Sequence, residues 1–334
     1  MLTRRRFLAI AATATALPGL PAAGRVQAAA APVVWRGVAM GALASITLAH
    51  PDRAAARRCI TRCVAEIDRL ESIFSLYRPD SAIARLNQEG ILASPPQELL
   101  EVLSFSLGLA EATGGAFDPT IQPLFRAYLE HFGATPIPTA PPAPDRIKEA
   151  LALVGHKQVE VDEGGIRFSR HSMAITLNGV AQGYVTDRIA ALLRGEGFND
   201  VLLDLGELRA AGRHPDGRPW RAAVKDPAGE RNSVLTVDLA EAQPALPALA
   251  TSAGHSTVFD RDGRWHHLLD PRTGSSARQH ASVTVAAKEA MIADGLSTAL
   301  SIVPPAEAGL LLKAHAPARA WLLDANGLMM QHSA

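Results

Sequence analysis

The chain predicts an α+β fold over residues of about 33–334, and three observations carry that prediction. Alternating apolar runs at 33–49 and 159–168, and a β-like run at 281–287, read as strands. Apolar residues recur with helical spacing at 52–72 and again at 98–113. A short strand at 174–178 leads into a helix-like stretch at 179–194, and a buried strand, a turn and a second strand follow at 200–212. About 300 residues suffice for one large domain, or two small ones, with a real core.

The chain opens with Thr3-Arg4-Arg5-Arg6-Phe7-Leu8, a hydroxyl residue and paired arginines ahead of an aromatic and a leucine. A modest apolar run follows, and Val26-Gln27-Ala28 offers small residues for cleavage. Residues 1–28 therefore read as a twin-arginine signal peptide, with folded export to the periplasm as the expectation. The apolar run is too short for a transmembrane span. With cysteine only at positions 59 and 63, no lipid anchor is expected at the cleavage site.

The whole chain balances 33 basic against 33 acidic residues. Loss of Arg4, Arg5, Arg6 and Arg25 with the leader leaves 29 basic against 33 acidic, a net of −4. That balance argues against nucleic acid as a partner. Cys59 and Cys63 lie four apart on the helix 52–72, where their Cβ vectors run nearly parallel, so they read as buried small residues rather than a bridge. No further Cys/His cluster suggests zinc.

Val33–Ala49 reads as one strand with Met40-Gly41 in its middle, the glycine marking a close approach. The helix 52–72 carries Ile60, Val64, Ile67 and Leu70 as its apolar stripe, and Ser81 suits the cap of the next helix. Gly114-Gly115 stops the helix 98–113. Pro119 and Pro123 then stiffen the segment Ala116-Phe117-Asp118-Pro119-Thr120-Ile121. Residues 135–144 are proline-rich and read as a stiff surface loop. A hairpin is expected around Glu163-Gly164. At the strand-to-helix junction near Gly179, free amides and the helix dipole could hold an anion.

The stretch 265–300 concentrates the chemistry. His266 and His267 precede the turn Asp270-Pro271-Arg272-Thr273-Gly274. Downstream, Ile292, Leu296 and Leu300 form one helical stripe, while Asp294 and Thr298 share a different face. A carboxylate and a hydroxyl at that spacing make half of an oxygen site for a hard cation such as Mg²⁺; a solvated helix face is the plainer alternative.

The runs H-H-L-L-D-P-R-T-G and A-D-G-L-S-T-A-L resemble the C-terminal pattern of the ApbE family of bacterial FAD:protein FMN transferases. Upstream segments are similar to the family in order: Met40-Gly41, F-S-L-Y with S-A-I-A-R-L-N, G-G-A-F-D-P-T-I-Q-P-L, N-G-V-A-Q-G-Y-V-T-D, K-D-P and A-T-S-A-G. Two departures stand out: Gln182 replaces the family's usual lysine, and Gly206-Glu207 stands where two glycines are typical. The resemblance implies a single large catalytic domain, related to the T-fold, with mixed or antiparallel sheets and flanking helices.

It also implies a function: Mg²⁺-dependent transfer of FMN from FAD to a threonine or serine hydroxyl of an acceptor protein, with release of AMP. The family's usual acceptor is a membrane redox subunit, here one facing the periplasm. Met40, Tyr77, Ala116, Phe117, Asp118, Thr176, Gln182 and His267 become the expected FAD contacts. Asp294, Thr298 and the Gly179 carbonyl become the expected Mg²⁺ ligands. His267 is the expected proton acceptor, since imidazole titrates near working pH. For Asp118 the plainer reading is a turn carboxylate bonding its own backbone. A non-catalytic FAD-delivery protein and an FAD pyrophosphatase are alternatives on the same fold; a periplasmic solute-binding protein is a generic one that leaves D-P-R-T-G unexplained.

Overall fold

A computed structural model describes residues 14–16 (backbone), 31–134, 138–239 and 246–334. The twin-arginine segment 3–8 and the cleavage segment 26–28 lie outside the described residues, as do 135–137 of the proline-rich run.

Fourteen described strands and eight α-helices follow one another, and the expected α+β class is the class observed. The strands are β1 (Ala14–Ala16), β2 (Val33–Ala39), β3 (Ala42–Leu48), β4 (Ile91–Leu92), β5 (Val159–Asp162), β6 (Gly165–Phe168) and β7 (Val201–Asp204). They continue with β8 (Leu208–Ala211), β9 (Trp220–Val224), β10 (Leu235–Leu239), β11 (Ala248–Ser252), β12 (Ser282–Ala287), β13 (Ala318–Leu323) and β14 (Met329–Ser333). The helices are α1 (Arg53–Phe74), α2 (Ala82–Glu89), α3 (Gln97–Ala112), α4 (Gln122–Phe132), α5 (Pro144–Leu151), α6 (Ala181–Gly195), α7 (Ala290–Leu300) and α8 (Ala308–Ala314). An eight-stranded sheet runs β14-β13-β12-β11-β8-β7-β3-β2, with every pairing antiparallel. Two three-stranded sheets, β1-β9-β10 and β4-β6-β5, complete the described strands.

Strand alternation sorts the core into two layers. Val201 and Leu203 of β7, with Val283 and Val285 of β12, join the large core that α1, α6 and α7 cover. Leu202 and Ala286, from the same strands, face the other way and pack with Trp220, Ala222 and Val224 of β9. A third cluster joins Leu124, Tyr128 and Phe132 of α4 to Leu269.

The local expectations hold at most elements. Asp52 caps α1 by accepting from the Ala55 amide at 2.9 Å, and Ser81 caps α2 by accepting from Ala84 at 3.1 Å. Cys59 and Cys63 are free and buried on the inner face of α1, where burial pushes the Cys63 thiol up to about 12. The hairpin at 163–164 joins β5 to β6.

Two expectations are corrected. The run 33–49 is not one strand but two, β2 and β3, paired from Val33 against Leu48 to Ala39 against Ala42. Met40 and Gly41 both take positive φ, 49° and 79°, which is a two-residue hairpin turn; nothing approaches the Gly41 Cα closely. Residues 174–178 form no ladder. The Asn87 side-chain amide takes both main-chain groups of Ile175, at 2.7 and 2.8 Å, and the Thr176 amide donates to the Pro119 carbonyl. With those groups satisfied, no partner strand is needed.

Candidate active site

Three chain segments distant in sequence meet at one cleft: the loop after α3, the junction before α6, and the stretch 251–298.

The first wall is built by side chains bonding main chain. Gly114-Gly115 ends α3, and Thr113 Oγ1 accepts from the Phe117 amide at 3.1 Å. Phe117 thereby turns into the cleft, 6% exposed. Asp118 lines the same wall but has no free oxygen. Its Oδ1 accepts from the Thr120 amide and hydroxyl, at 2.8 and 2.6 Å, and its Oδ2 from the His156 amide at 2.9 Å. The plainer reading of Asp118 is therefore what its bonds describe, with His156 added: its ring sits between Asp118 and Glu111, 3.0 Å from each.

The floor is the meeting of α6 and α7. Asp187 on α6 accepts from the Ala290 and Met291 amides, both at 2.9 Å, and so caps α7 from outside. Arg209 pairs with the same carboxylate. Gly183 lets the helices approach: a Cβ there would lie 2.3 Å from the Ala290 carbonyl oxygen. The approach brings Asp294 of α7 to the first turn of α6, where its Oδ2 accepts from the Gly183 amide at 3.1 Å. The expected anion-holding amides are thus partly committed: Gly183 serves a protein carboxylate, and the Ala181 amide bonds Leu177.

Asp294 is 4% exposed, which rules out a solvated helix face. Burial raises its pKa to about 7, against the lowering effect of the Gly183 amide. Thr298, one turn on, lies against Gly179, its Oγ1 only 3.0 Å from where a Cβ of that glycine would sit. The Ser252 hydroxyl bonds Ser297 at 2.7 Å and reaches Thr298 Oγ1 at 3.3 Å.

Glu207 lines the cleft as well and is 5% exposed. Its Oε2 has no hydrogen-bond partner, and the Thr251 amide only weakly favours the charged form. Burial, then the charges of Asp294 and Asp204, push its pKa well up. Sequence reasoning saw Glu207 only as a departure at a turn. The available signal was a pair of acids, Asp204 and Glu207, within the otherwise apolar run Val201-Leu202-Leu203-Asp204-Leu205-Gly206-Glu207-Leu208.

The donor chemistry suits a hard divalent cation. Asp294, Glu207 and Thr298 present oxygen at one cleft, and an orphaned buried carboxylate oxygen costs on the order of 1–3 kcal/mol or more unless compensated. Among the described residues no group of three or more His, Cys, Asp or Glu is arranged to hold a metal. A site here depends on neutral oxygens and ligand phosphate for its remaining positions, as Mg²⁺ sites commonly do.

His267 lines the opposite side and His266 is buried beside it, so neither is a surface histidine. No strand forms at 265–269; its ladder pairing is limited to single bridges, Val258 with His266 and Leu269 with Ser276. Burial drops the His267 pKa to about 4, correcting the expectation of a ring titrating near neutrality. Its Nδ1 lies 3.2 Å from the Thr257 carbonyl. A carbonyl only accepts, so Nδ1 carries the proton and Nε2 holds the lone pair. Asp270 organises the following turn: its carbonyl accepts from Gly274 at 2.8 Å and its carboxylate receives the Arg272 guanidinium in two bonds.

Of the eleven expected site residues, Ala116, Phe117, Asp118, Thr176, Gly179, Gln182, His267, Asp294 and Thr298 line this one cleft. Met40 and Tyr77 do not. Met40 sits in the β2–β3 turn, its amide donating to Glu71 at 2.6 Å, and Tyr77 is 64% exposed beyond α1.

The sequence profile of the ApbE family matches residues 40–322. An FAD:protein FMN transferase of Vibrio cholerae is 32% identical over 249 residues, covering 71% of this chain and 72% of that protein. One of Salmonella typhimurium is 30% identical, covering 81% and 78%. Among solved structures, the ApbE protein of Thermotoga maritima superposes with a TM-score of 0.78 at 25% identity, covering 90% of this chain and 97% of that one. The apo flavinyl transferase ApbE of Pseudomonas stutzeri does so at 0.73 and 28% identity, covering 90% and 94%.

Proposed function

This chain belongs to the ApbE family, and from that premise we propose that it is an FAD:protein FMN transferase acting on a threonine or serine of an acceptor protein. The observation that carries the reading is the convergence of Asp294 and Thr298 with the Phe117 loop and His267 at one cleft. Phe117 lies 150 residues before His267 and 177 before Asp294, and each segment belongs to a motif similar to the family's.

In the proposed reaction the acceptor hydroxyl oxygen bonds to the phosphorus on the riboflavin side of the diphosphate. The bond from that phosphorus to the AMP oxygen breaks, and AMP leaves with the electron pair. His267 takes the hydroxyl proton on Nε2, the nitrogen left free by the Thr257 carbonyl. Ala116, Phe117 and Thr176 line the wall for the flavin end of FAD, and Gln182 stands near the diphosphate as a neutral hydrogen-bonding group. Asp294, Thr298 and the Gly179 carbonyl are the residues to hold Mg²⁺. Bound there, the ion supplies positive charge to the diphosphate as it reacts.

Export is proposed with the activity. The segment 3–8 supports the twin-arginine route, and the partner in that compartment is a redox subunit facing the periplasm. The test of function is incubation with FAD, Mg²⁺ and an acceptor peptide bearing the target threonine, read by mass. An FMN adduct with release of AMP is expected. Free FMN with unlabelled peptide would identify a pyrophosphatase, and FAD bound without AMP release a delivery protein.

A further inference from the structure

We propose that Glu207 supplies a second carboxylate to the cation site of Asp294, Thr298 and the Gly179 carbonyl. The proposal rests on the reading of that site as a divalent-cation site and adds a residue to it.

Three observations place Glu207 there. It lines the same cleft as Asp294 and Thr298 although it comes from the turn between β7 and β8, on the sheet rather than on either helix. Its carboxyl is almost wholly buried, and one oxygen, Oε2, has no hydrogen-bond partner. The charged groups acting on it are Asp294 and Asp204, both acids.

Polar groups buried this deeply are nearly always paired, and a buried carboxylate more strictly than most. Glu207 has instead an open oxygen, Oε2, and two further acids, Asp294 and Asp204, acting on it. A dication between Glu207 and Asp294 removes both faults at once: it takes the open oxygen and turns a repulsion into two attractions. Gln182, which lines the same cleft, is neutral. Its side-chain amide packs against Gly206, where a Cβ would come within 2.6 Å of Nε2. With no lysine charge at 182, a second carboxylate and a metal ion form the electrostatic balance of this floor.

Binding of Mn²⁺ alone to the purified full-length chain, without FAD, tests this by electron paramagnetic resonance. Thermal melting in chelator and in excess Mn²⁺ gives the second readout. Glu207→Gln keeps the shape and removes the charge. Its Mn²⁺ affinity should fall by at least roughly tenfold, the scale typical for losing a group that supports a metal. In chelator its melting point should equal or exceed that of the unmodified chain, because a buried carboxyl with an open oxygen is replaced by an amide that carries no charge, and Mn²⁺ should raise it less. Glu207→Asp, which keeps the charge on a shorter arm, should bind with intermediate affinity. Glu207→Gln binding within about twofold of the unmodified chain, while Asp294→Asn binds poorly, overturns the role of Glu207 and leaves the cation site standing. A variant too unstable to melt cooperatively passes the decision to Glu207→Asp, for which unchanged affinity has the same meaning. Absence of Mn²⁺ binding in the unmodified chain, both without FAD and with it, would instead remove the cation reading, and this proposal with it.

Discussion

The Gly183 amide donates to Asp294 Oδ2 at 3.1 Å, so the first turn of one helix holds the carboxylate carried by the next. Both partners depend on the same close approach. Gly183→Ala would put a methyl group 2.3 Å from the Ala290 carbonyl oxygen, 2.5 Å from its carbon and 2.6 Å from the Met291 nitrogen. Backbone cannot step aside as a flexible side chain can. The variant should lose about 1–3 kcal/mol of stability by overpacking. FMN transfer should fall by roughly 100-fold, because Asp294 and Thr298 move with α7. Chemical denaturation and a peptide-labelling assay check the two effects; near-normal values for both would mean that the helices separate at no cost.

Asp294→Asn preserves size and the bond from Gly183 but removes the charge. Transfer should drop by about 100- to 1,000-fold or more, since stabilising the charge that develops in the transition state commonly contributes most to such catalysis. Raised Mg²⁺ should recover part of it. Thr298→Val should cost less, because water can replace a neutral ligand. Labelling rate against Mg²⁺ concentration is the measurement, and full activity in excess chelator would exclude the metal.

With a pKa of about 4, His267 stays neutral well below the range of an ordinary imidazole. Its folded pKa is depressed relative to the unfolded 6.5, so it contributes stability above that value. The contribution is lost as pH falls from about 6.5 towards about 4, where the unfolded chain takes up the proton first. Its protonation should therefore limit the transfer rate only near pH 4, while stability declines over the higher window. His267→Gln should lower transfer and flatten the stability loss between these limits. A rate limb near pH 6.5 that His267→Gln abolishes would show that the ring is not neutral there.

Gln182→Lys introduces the charge usual in the family. FAD binding should hold or tighten, by an amount on the order of the 1–2 kcal/mol of a charge-assisted hydrogen bond, and transfer should persist. Fluorescence titration with FAD reads this directly. A large loss of affinity would mean that glutamine belongs to a different arrangement of the diphosphate, one that leaves room beside Gly206.

Replacing Arg4 and Arg5 together with lysine should stop export while leaving the purified protein active. The measurement is fractionation of cells expressing each form; equal accumulation in the periplasm would rule out the twin-arginine route.

The sequence by itself determined α1, α2, α3, α6 and α7, the strands β5, β6, β7, β8 and β12, and most residues of the cleft, because these depend on local spacing. The stripe on α1, the capping Ser81, the turn after Asp270 and the Asp294/Thr298 pair are all written within a few neighbouring residues. Their motifs also stand in family order, which the match over residues 40–322 bears out. What the sequence could not settle was pairing across distance. Hairpin or single strand at 33–49 turned on two left-handed residues, one of them a methionine that rarely adopts that conformation. The lost strand at 174–178 depended on Asn87, some ninety positions earlier. Burial decided the rest. Asp294 and Thr298 become part of an enclosed site only because Gly183 lets α7 reach α6, and the His267 pKa falls to about 4 only because the ring is buried. Glu207 joins them from a turn of the sheet. Desolvation is a property of the assembled layers, and no spacing along the chain encodes it.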